Sequence, residues 1–126
     1  MKAAICSTMF AALVLSVSTA RAATPKDAEI EGLRKAYLNL VAGNHDYKGH
    51  RVKALKHVEA AAQALGLNIS GDGKAHSQQK NSDADLNAAK TALQSVLEIA
   101  KTQGQPQLEK NVTAAIKEID TALKIK

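Results

Sequence analysis

The sequence predicts an all-α domain, an antiparallel up-down four-helix bundle that follows a cleaved signal peptide. Four segments carry apolar residues at spacings of three and four, which is the period of an amphipathic helix. No segment shows the alternation of apolar and polar residues that is typical of a half-buried strand. Amphipathic helices of this length are only marginally stable in isolation. They bury their apolar stripes most simply by packing against each other. The predicted helices span about 26–42, 47–65, 83–103 and 106–124.

The first 22 residues have the layout of a signal peptide. Lys2 gives a positive start, residues 3–17 are almost wholly apolar, and Ala20-Arg21-Ala22 matches the A-x-A cleavage pattern. The apolar run is shorter than the roughly 20 residues that cross a bilayer. We therefore expect residues 1–22 to be removed and residues 23–126 to form one secreted or periplasmic domain, with no membrane contact after cleavage.

Charge and cysteine content exclude several classes of function. Removal of Lys2 and Arg21 leaves 15 basic and 12 acidic residues, so the net charge falls from +5 to +3. The basic residues are scattered and lack the aromatic neighbours of a nucleic-acid surface, so we expect no nucleic-acid partner. The single cysteine, Cys6, lies in the signal peptide, which excludes disulfides, thiol chemistry and haem attachment in the mature domain. We expect no cofactor.

The first two predicted helices form a hairpin. Pro25 suits the first turn of the first helix, and Gly43 with Asn44 ends it. Asp46 is a candidate N-cap for the second helix, and Gly66 ends that helix. The apolar stripes are Ile30, Leu33, Tyr37, Leu40 and Val41 in the first helix, and Leu55, Val58, Ala62 and Leu65 in the second.

The last two predicted helices form a second hairpin across Gly104, with Pro106 opening the fourth helix. The two hairpins are joined by a flexible loop, residues 66–82, which is rich in Gly, Asn and Ser and longer than most loops in a compact domain. This loop is either a mobile connector or a binding loop. As a binding loop, its polar groups are Asp72, Lys74 and His76.

Arg51 is the charged residue that fits its predicted position least well. It falls on the apolar stripe of the second helix, four residues after Tyr47 and four before Leu55. A buried guanidinium must be paired or hydrogen-bonded. Its candidate partners are Asp46, an acid of the first helix such as Glu31, and carbonyls at a helix end. Arg51 is therefore either a structural contact or part of a ligand site.

The histidines near Arg51 suggest a possible metal or anion site. His50 and His57 are two helical turns apart, too far to share one metal ion. His45, Asp46 and His50 converge if the preceding loop folds back over the helix start, and such a set suits zinc or another divalent metal. The spacing is not a recognised metal signature, and exposed or capping histidines are the alternative. Lys48 and Arg51 at the helix N-terminus suit a phosphate or carboxylate.

Residues 46–65, DYKGHRVKALKHVEAAAQAL, carry a resemblance. The stretch resembles small secreted bacterial helical proteins of unknown function in which a D-Y-x-G-H-R-x-x-A run opens a helix. The resemblance implies export and a helical fold, and it implies no activity. It singles out, as residues of a possible binding site, Asp46, Tyr47, Gly49, His50 and Arg51.

The sequence favours a non-catalytic module over an enzyme. An enzyme needs a nucleophile, a base and an oxyanion site in one cleft, and no such set is recognisable. We expect an interaction module that binds an unknown protein partner or associates with itself. Ile99 and Val52 lie off the apolar stripes and are candidate contact points. The alternative is a periplasmic metal- or anion-binding protein that uses the cluster from His45 to His57.

Overall fold

The computed structural model describes residues 24–43, 47–69 and 82–125. Within these ranges the chain is all-α, as predicted, and has no strand. The predicted signal peptide, His45, Asp46 and most of the long loop lie outside the described residues. The helices are α1 (Pro25–Ala42), α2 (His50–Ala64), α3 (Ser82–Thr102) and α4 (Pro106–Leu123), with a 3-10 turn at Tyr47–Gly49.

Helix α1 begins with a capping box. The hydroxyl of Thr24 accepts a hydrogen bond from the backbone N–H of Asp27 at 3.2 Å, and the Asp27 carboxylate accepts one from the Thr24 N–H at 3.1 Å. These bonds satisfy N–H groups that have no partner within the helix. The hydrogen bonds from Thr24 also lower the pKa of Asp27. This cap places the start of α1 one residue earlier than expected.

The second α-helix begins at His50, three residues later than expected. Tyr47, Lys48 and Gly49 have φ values of +49°, +53° and +84°, in the left-handed region. Two such non-glycine residues cost about 1–2 kcal/mol each. The N-cap of α2 is Gly49, so the expectation that Asp46 caps this helix was wrong. Periodicity missed the break because Tyr47 is buried whether it belongs to the helix or to the turn before it.

The helices form a bundle in which each packs against two neighbours. α1 and α4 both contact α2 and α3, and they lie diagonally opposite each other. Thr24 lies beside Gln103 at one end of the α1–α3 pair, and Gly43 lies beside Leu86 at the other, so these helices are antiparallel. A contact between His50 and Glu118 shows the same for α2 and α4.

The order of helix directions corrects the expected alternation. Since α1 is antiparallel to both α2 and α3, the helices run up, down, down and up along the chain. Helices α2 and α3 are therefore parallel and diagonal. Asn68 and Ile69, which follow α2 in the chain, lie beside Tyr37 and Leu38 of α1. A short loop would have enforced the alternation, whereas a long one does not.

The core is narrow and alanine-rich, with Leu, Val, Ile and both remaining tyrosines. Helices α1 and α3 approach so closely at Gly32 that a Cβ there would collide with the side chain of Val96. Ile30, expected on the inner face of α1, is half-buried, while its neighbour Glu29 is 0 % exposed. Among the described residues, no helix is long and apolar enough to cross a membrane.

Candidate functional site

Three side chains at the start of α2 each contact a different helix of the bundle. Arg51 contacts α1, Tyr47 contacts α3 and His50 contacts α4. We call Tyr47, His50 and Arg51 the hub. All three belong to the set that the sequence singled out as a possible site.

Arg51 is bound to the C-terminal end of α1. Its side chain is only 9 % exposed, and its Nη1 donates a 2.8 Å hydrogen bond to the backbone carbonyl of Leu40. The last carbonyls of a helix lack intrahelical donors and lie at the negative end of the helix dipole, so they favour a cation. A carbonyl at a helix end was one of the three expected partners. Glu31, another of them, is exposed and lines a different surface.

Tyr47 is bound to the first turn of α3. Its ring is 2 % exposed, and its hydroxyl donates a 2.5 Å hydrogen bond to Asp83. Burial, together with the bond to Asp83, raises the pKa of Tyr47 far above its ordinary value, against a smaller lowering by a hydrogen bond from Ser82. The phenol therefore stays protonated, and able to donate, at physiological pH.

His50 is bound to α4. Its Nδ1 lies 2.5 Å from a carboxylate oxygen of Glu118, and both side chains are about a quarter exposed. The hydrogen bond from His50 lowers the pKa of Glu118 against an opposing effect of burial, and the neighbouring Lys53 and His57 contribute smaller lowering effects. Glu118 is thus close to three basic side chains of α2, namely His50, Lys53 and His57. This pairing of His50 with Glu118 could not be predicted from the sequence, because the two residues are 68 positions apart.

The expected metal set of His45, Asp46 and His50 is not assembled within the described residues. His45 and Asp46 lie outside them, and His50 is held by Glu118. No group of three or more His, Cys, Asp or Glu side chains in the described ranges is placed to hold a metal ion. The candidate loop residues Asp72, Lys74 and His76 also lie outside. These assignments remain predictions.

A shallow apolar groove runs along the outer side of the α1–α3 pair. Its main part has a volume of about 430 Å³ and is bordered by Glu31 and Lys35. A second hollow of about 390 Å³ continues it beyond Ala28 and includes Ile99, one of the predicted contact points. The remaining lining of the main part is Gly32, Ala88, Thr91, Ala92 and Ser95.

The groove has a sequence signal that periodicity alone does not reveal. Ala28 and Gly32 are four residues apart on α1, and Ala88 and Ala92 are four apart on α3. Residues four apart share a helix face, so each helix presents a row of small side chains. The rows of small side chains are not recognisable from periodicity alone, because the longer apolar stripes of the core dominate the periodic pattern.

The hub and the groove differ in what they leave open to a ligand. Each hub side chain makes a contact inside the bundle, whereas no described segment fills the groove. Within the described residues, the groove is therefore the more accessible of the two surfaces. Comparison with protein-family models, with curated proteins and with solved structures gives no match to this chain.

Proposed function

We propose that this chain is an exported, non-catalytic interaction module that binds a helix of a partner protein in the α1–α3 groove. The observation that carries this proposal is the groove itself, whose two parts meet at Ala28, lie between both helices and, in the main part, are lined mainly by small side chains. Of the polar residues that suggested a site in the sequence, Tyr47, His50 and Arg51 make contacts within the bundle.

The dimensions of the groove suit one helix. Its two parts follow α1 from Thr24 to Lys35, a length of about 16 Å at 1.5 Å per residue, or three helical turns. Rows of small side chains form a channel into which the side-chain ridge of another helix packs. Glu31 and Lys35 border the channel with opposite charges, which favour one direction of the bound helix.

Cross-linking from inside the groove tests this function. A photoreactive amino acid at Thr91 lies in the groove, and the same group at the exposed Asn87 lies on α3 outside it. We expect a discrete adduct from position 91 that disappears when Ser95→Trp fills the groove and persists in Gln94→Trp. Equal adducts from both positions, or none, would contradict the proposal. A cross-linked dimer would identify a second copy as the occupant.

Export is part of the proposal and has its own test. Lys2, the apolar run and the A-x-A pattern support removal of residues 1–22. Intact mass and N-terminal sequencing of the protein from the cell that makes it should show a chain beginning at Ala23. A chain that retains Met1 or Lys2 would contradict cleavage.

A second candidate, anion binding at the start of α2, is supported by one observation. Among the described residues, Arg51 Nε is buried without a hydrogen-bond partner, and Gly49 offers no side chain to cap the first N–H groups of α2. An anion there would satisfy both. Phosphate should then raise the melting temperature of the wild type more than that of Lys48→Ala, which leaves the hub intact. Equal shifts in the melting temperatures of the two proteins would contradict anion binding at this position.

A further inference from the structure

The charged side chains are divided unequally between the two layers of the bundle. On α1 and α3, four exposed basic residues are balanced by four exposed acidic ones, namely Lys26, Arg34, Lys35 and Lys101 against Asp27, Glu31, Asp83 and Glu98. Among the described residues of α2, α4 and the turns at their ends, every exposed charged residue is a lysine. These six residues, which we call the lysine face, are Lys48, Lys53, Lys56, Lys110, Lys117 and Lys124.

The acids on this side of the bundle offset the charge of the lysine face only in part, for example through Glu118, which lies near Lys53. Glu59, Glu109, Glu118 and Asp120 are all partly buried. Glu118 is paired with His50, and Asp120 is paired with Lys90 of α3. The six exposed lysines therefore outnumber the four partly exposed carboxylates of α2 and α4, which leaves an excess of positive charge at the solvent surface.

The lysines of α4 form a regular line. Lys110, Lys117 and Lys124 are seven residues apart, close to two helical turns, so they lie along one side of the helix. The line is about 21 Å long at 1.5 Å per residue. Lys53 and Lys56 extend the charge onto the neighbouring helix α2. The result is a broad basic surface spanning two helices.

We propose that the lysine face holds this protein reversibly against an anionic lipid surface. Stable protein interfaces are depleted in lysine and enriched in aromatic residues, and this face has no exposed aromatic side chain among its described residues. Binding of single-stranded nucleic acid also uses aromatic stacking. Lysines near anionic headgroups are attracted without any fixed pairing geometry, and the attraction is screened by salt.

This binding mode differs from membrane spanning and does not compete with the groove. The expectation of no membrane contact rested on the length of apolar runs, which concerns insertion and not electrostatic adsorption. Val52, 40 % exposed, is the large exposed apolar residue on α2, too little for deep insertion. The groove belongs to the α1–α3 layer, so it stays accessible when the α2–α4 layer faces the lipid.

Vesicle cosedimentation tests the proposal with matched charge variants. Residues 23–126 contain all four helices and the whole described core, so they are the folding unit to use. The vesicles are phosphatidylcholine with about 30 % phosphatidylglycerol, or phosphatidylcholine alone, at low and at raised salt. One variant replaces Lys110, Lys117 and Lys124 with Gln; the control replaces Lys26, Lys35 and Lys101 with Gln, which lowers the net charge equally.

We expect binding to the anionic vesicles at low salt, loss of binding at high salt, and none to the neutral vesicles. The α4 triple variant should bind about ten-fold more weakly or worse, and the control triple should stay near the wild type. An equal loss in both variants would overturn the proposal, because net charge alone would then explain binding. The proposal would also be overturned if the protein did not bind the vesicles at all. The same conclusion would follow if it bound duplex DNA or polyglutamate but not the vesicles.

Discussion

The two ends of the bundle both bury polar side chains, but only at one end does every such side chain of the described residues have a partner. At the hub end, Tyr47, His50 and Arg51 each reach a group on another helix, although the Nε of Arg51 is left without a partner among the described residues. At the opposite end, both carboxylate oxygens of Glu29 and the side-chain oxygen of Gln105 are buried without a hydrogen-bond partner in the described structure. A buried polar group stabilises a fold when its partners are fixed and costs stability when they are absent.

This difference predicts mutational effects of opposite sign in one small core. Removing one side of a hydrogen-bonded pair leaves the other side unsatisfied, so substitutions at the hub should lower the free energy of unfolding. Replacing the unpartnered Glu29 with an apolar residue removes a desolvation penalty, so this substitution should raise the free energy of unfolding. The net stability of a domain of this size is typically about 5–15 kcal/mol, so either change is easily measured.

Arg51→Ala should have the largest effect. It removes the bond to the Leu40 carbonyl and leaves a cavity beside α1, at a cost of about 3–4 kcal/mol in the free energy of unfolding. Arg51→Lys, which keeps the charge but not the planar guanidinium, should cost about half as much. Urea denaturation measures both. A cost for Arg51→Ala below about 0.5 kcal/mol, as for a surface residue, would show that the hub does not stabilise the bundle.

Glu29→Leu should raise the free energy of unfolding by about 1–3 kcal/mol, because an unpartnered polar group is replaced by an apolar one in a fully buried position. Glu29→Gln is the control, since its amide would also need partners, and we expect a smaller change. The same denaturation experiment measures both. A clear loss of stability in Glu29→Leu would mean that the carboxylate makes a needed interaction.

Tyr47→Phe should cost about 1–2 kcal/mol through loss of the bond to Asp83. The pKa of Tyr47 is raised on folding, so its contribution is complete below the ordinary value of 10 and declines as the pH rises toward the folded value. The stability difference between the variant and the wild type should therefore shrink above pH 10. A difference that does not change with pH would contradict the account of the phenol as the donor.

Glu118→Gln should have the smallest effect, about 0.5 kcal/mol at pH 7, because its pair with His50 is partly exposed. The pKa of Glu118 is lowered on folding, so its contribution is present above its ordinary value of 4.5 and is lost as the pH falls through the folded value. The effect should therefore shrink as the pH falls below 4.5. Glu98→Gln, in a more exposed pair with Lys101, is the control and should change little across the same pH range.

The sequence predicted the helices and the buried position of Arg51 because both depend on periodicity along the chain. Arg51 lies on an apolar stripe, and its need for a partner followed from its charge. The same reasoning did not predict the burial of Glu29, which lies beside the apolar stripe of α1 and was not among the residues expected on it. The burial of Glu29 depends on the orientation of α1 about its own axis in the bundle. In this orientation Glu29 points inward and Ile30 is only partly buried.

The partners of the hub could be predicted only in part. The carbonyl that binds Arg51 was among the candidates because a helix end had to lie near the start of α2. Asp83 and Glu118, the partners of Tyr47 and His50, depend on which helices become neighbours. Periodicity along the chain does not determine which helices become neighbours, because a long loop permits α3 to run in either direction.

The most direct test of the difference between the two ends uses one replacement residue at both. Arg51→Met and Glu29→Met each introduce an unbranched apolar side chain of similar length, so packing changes are matched as closely as possible. Their free energies of unfolding in urea at pH 7 should move in opposite directions, with a loss for Arg51→Met and a gain for Glu29→Met. Changes of the same sign would contradict the claim that hydrogen-bonding partners, rather than burial alone, distinguish the two ends.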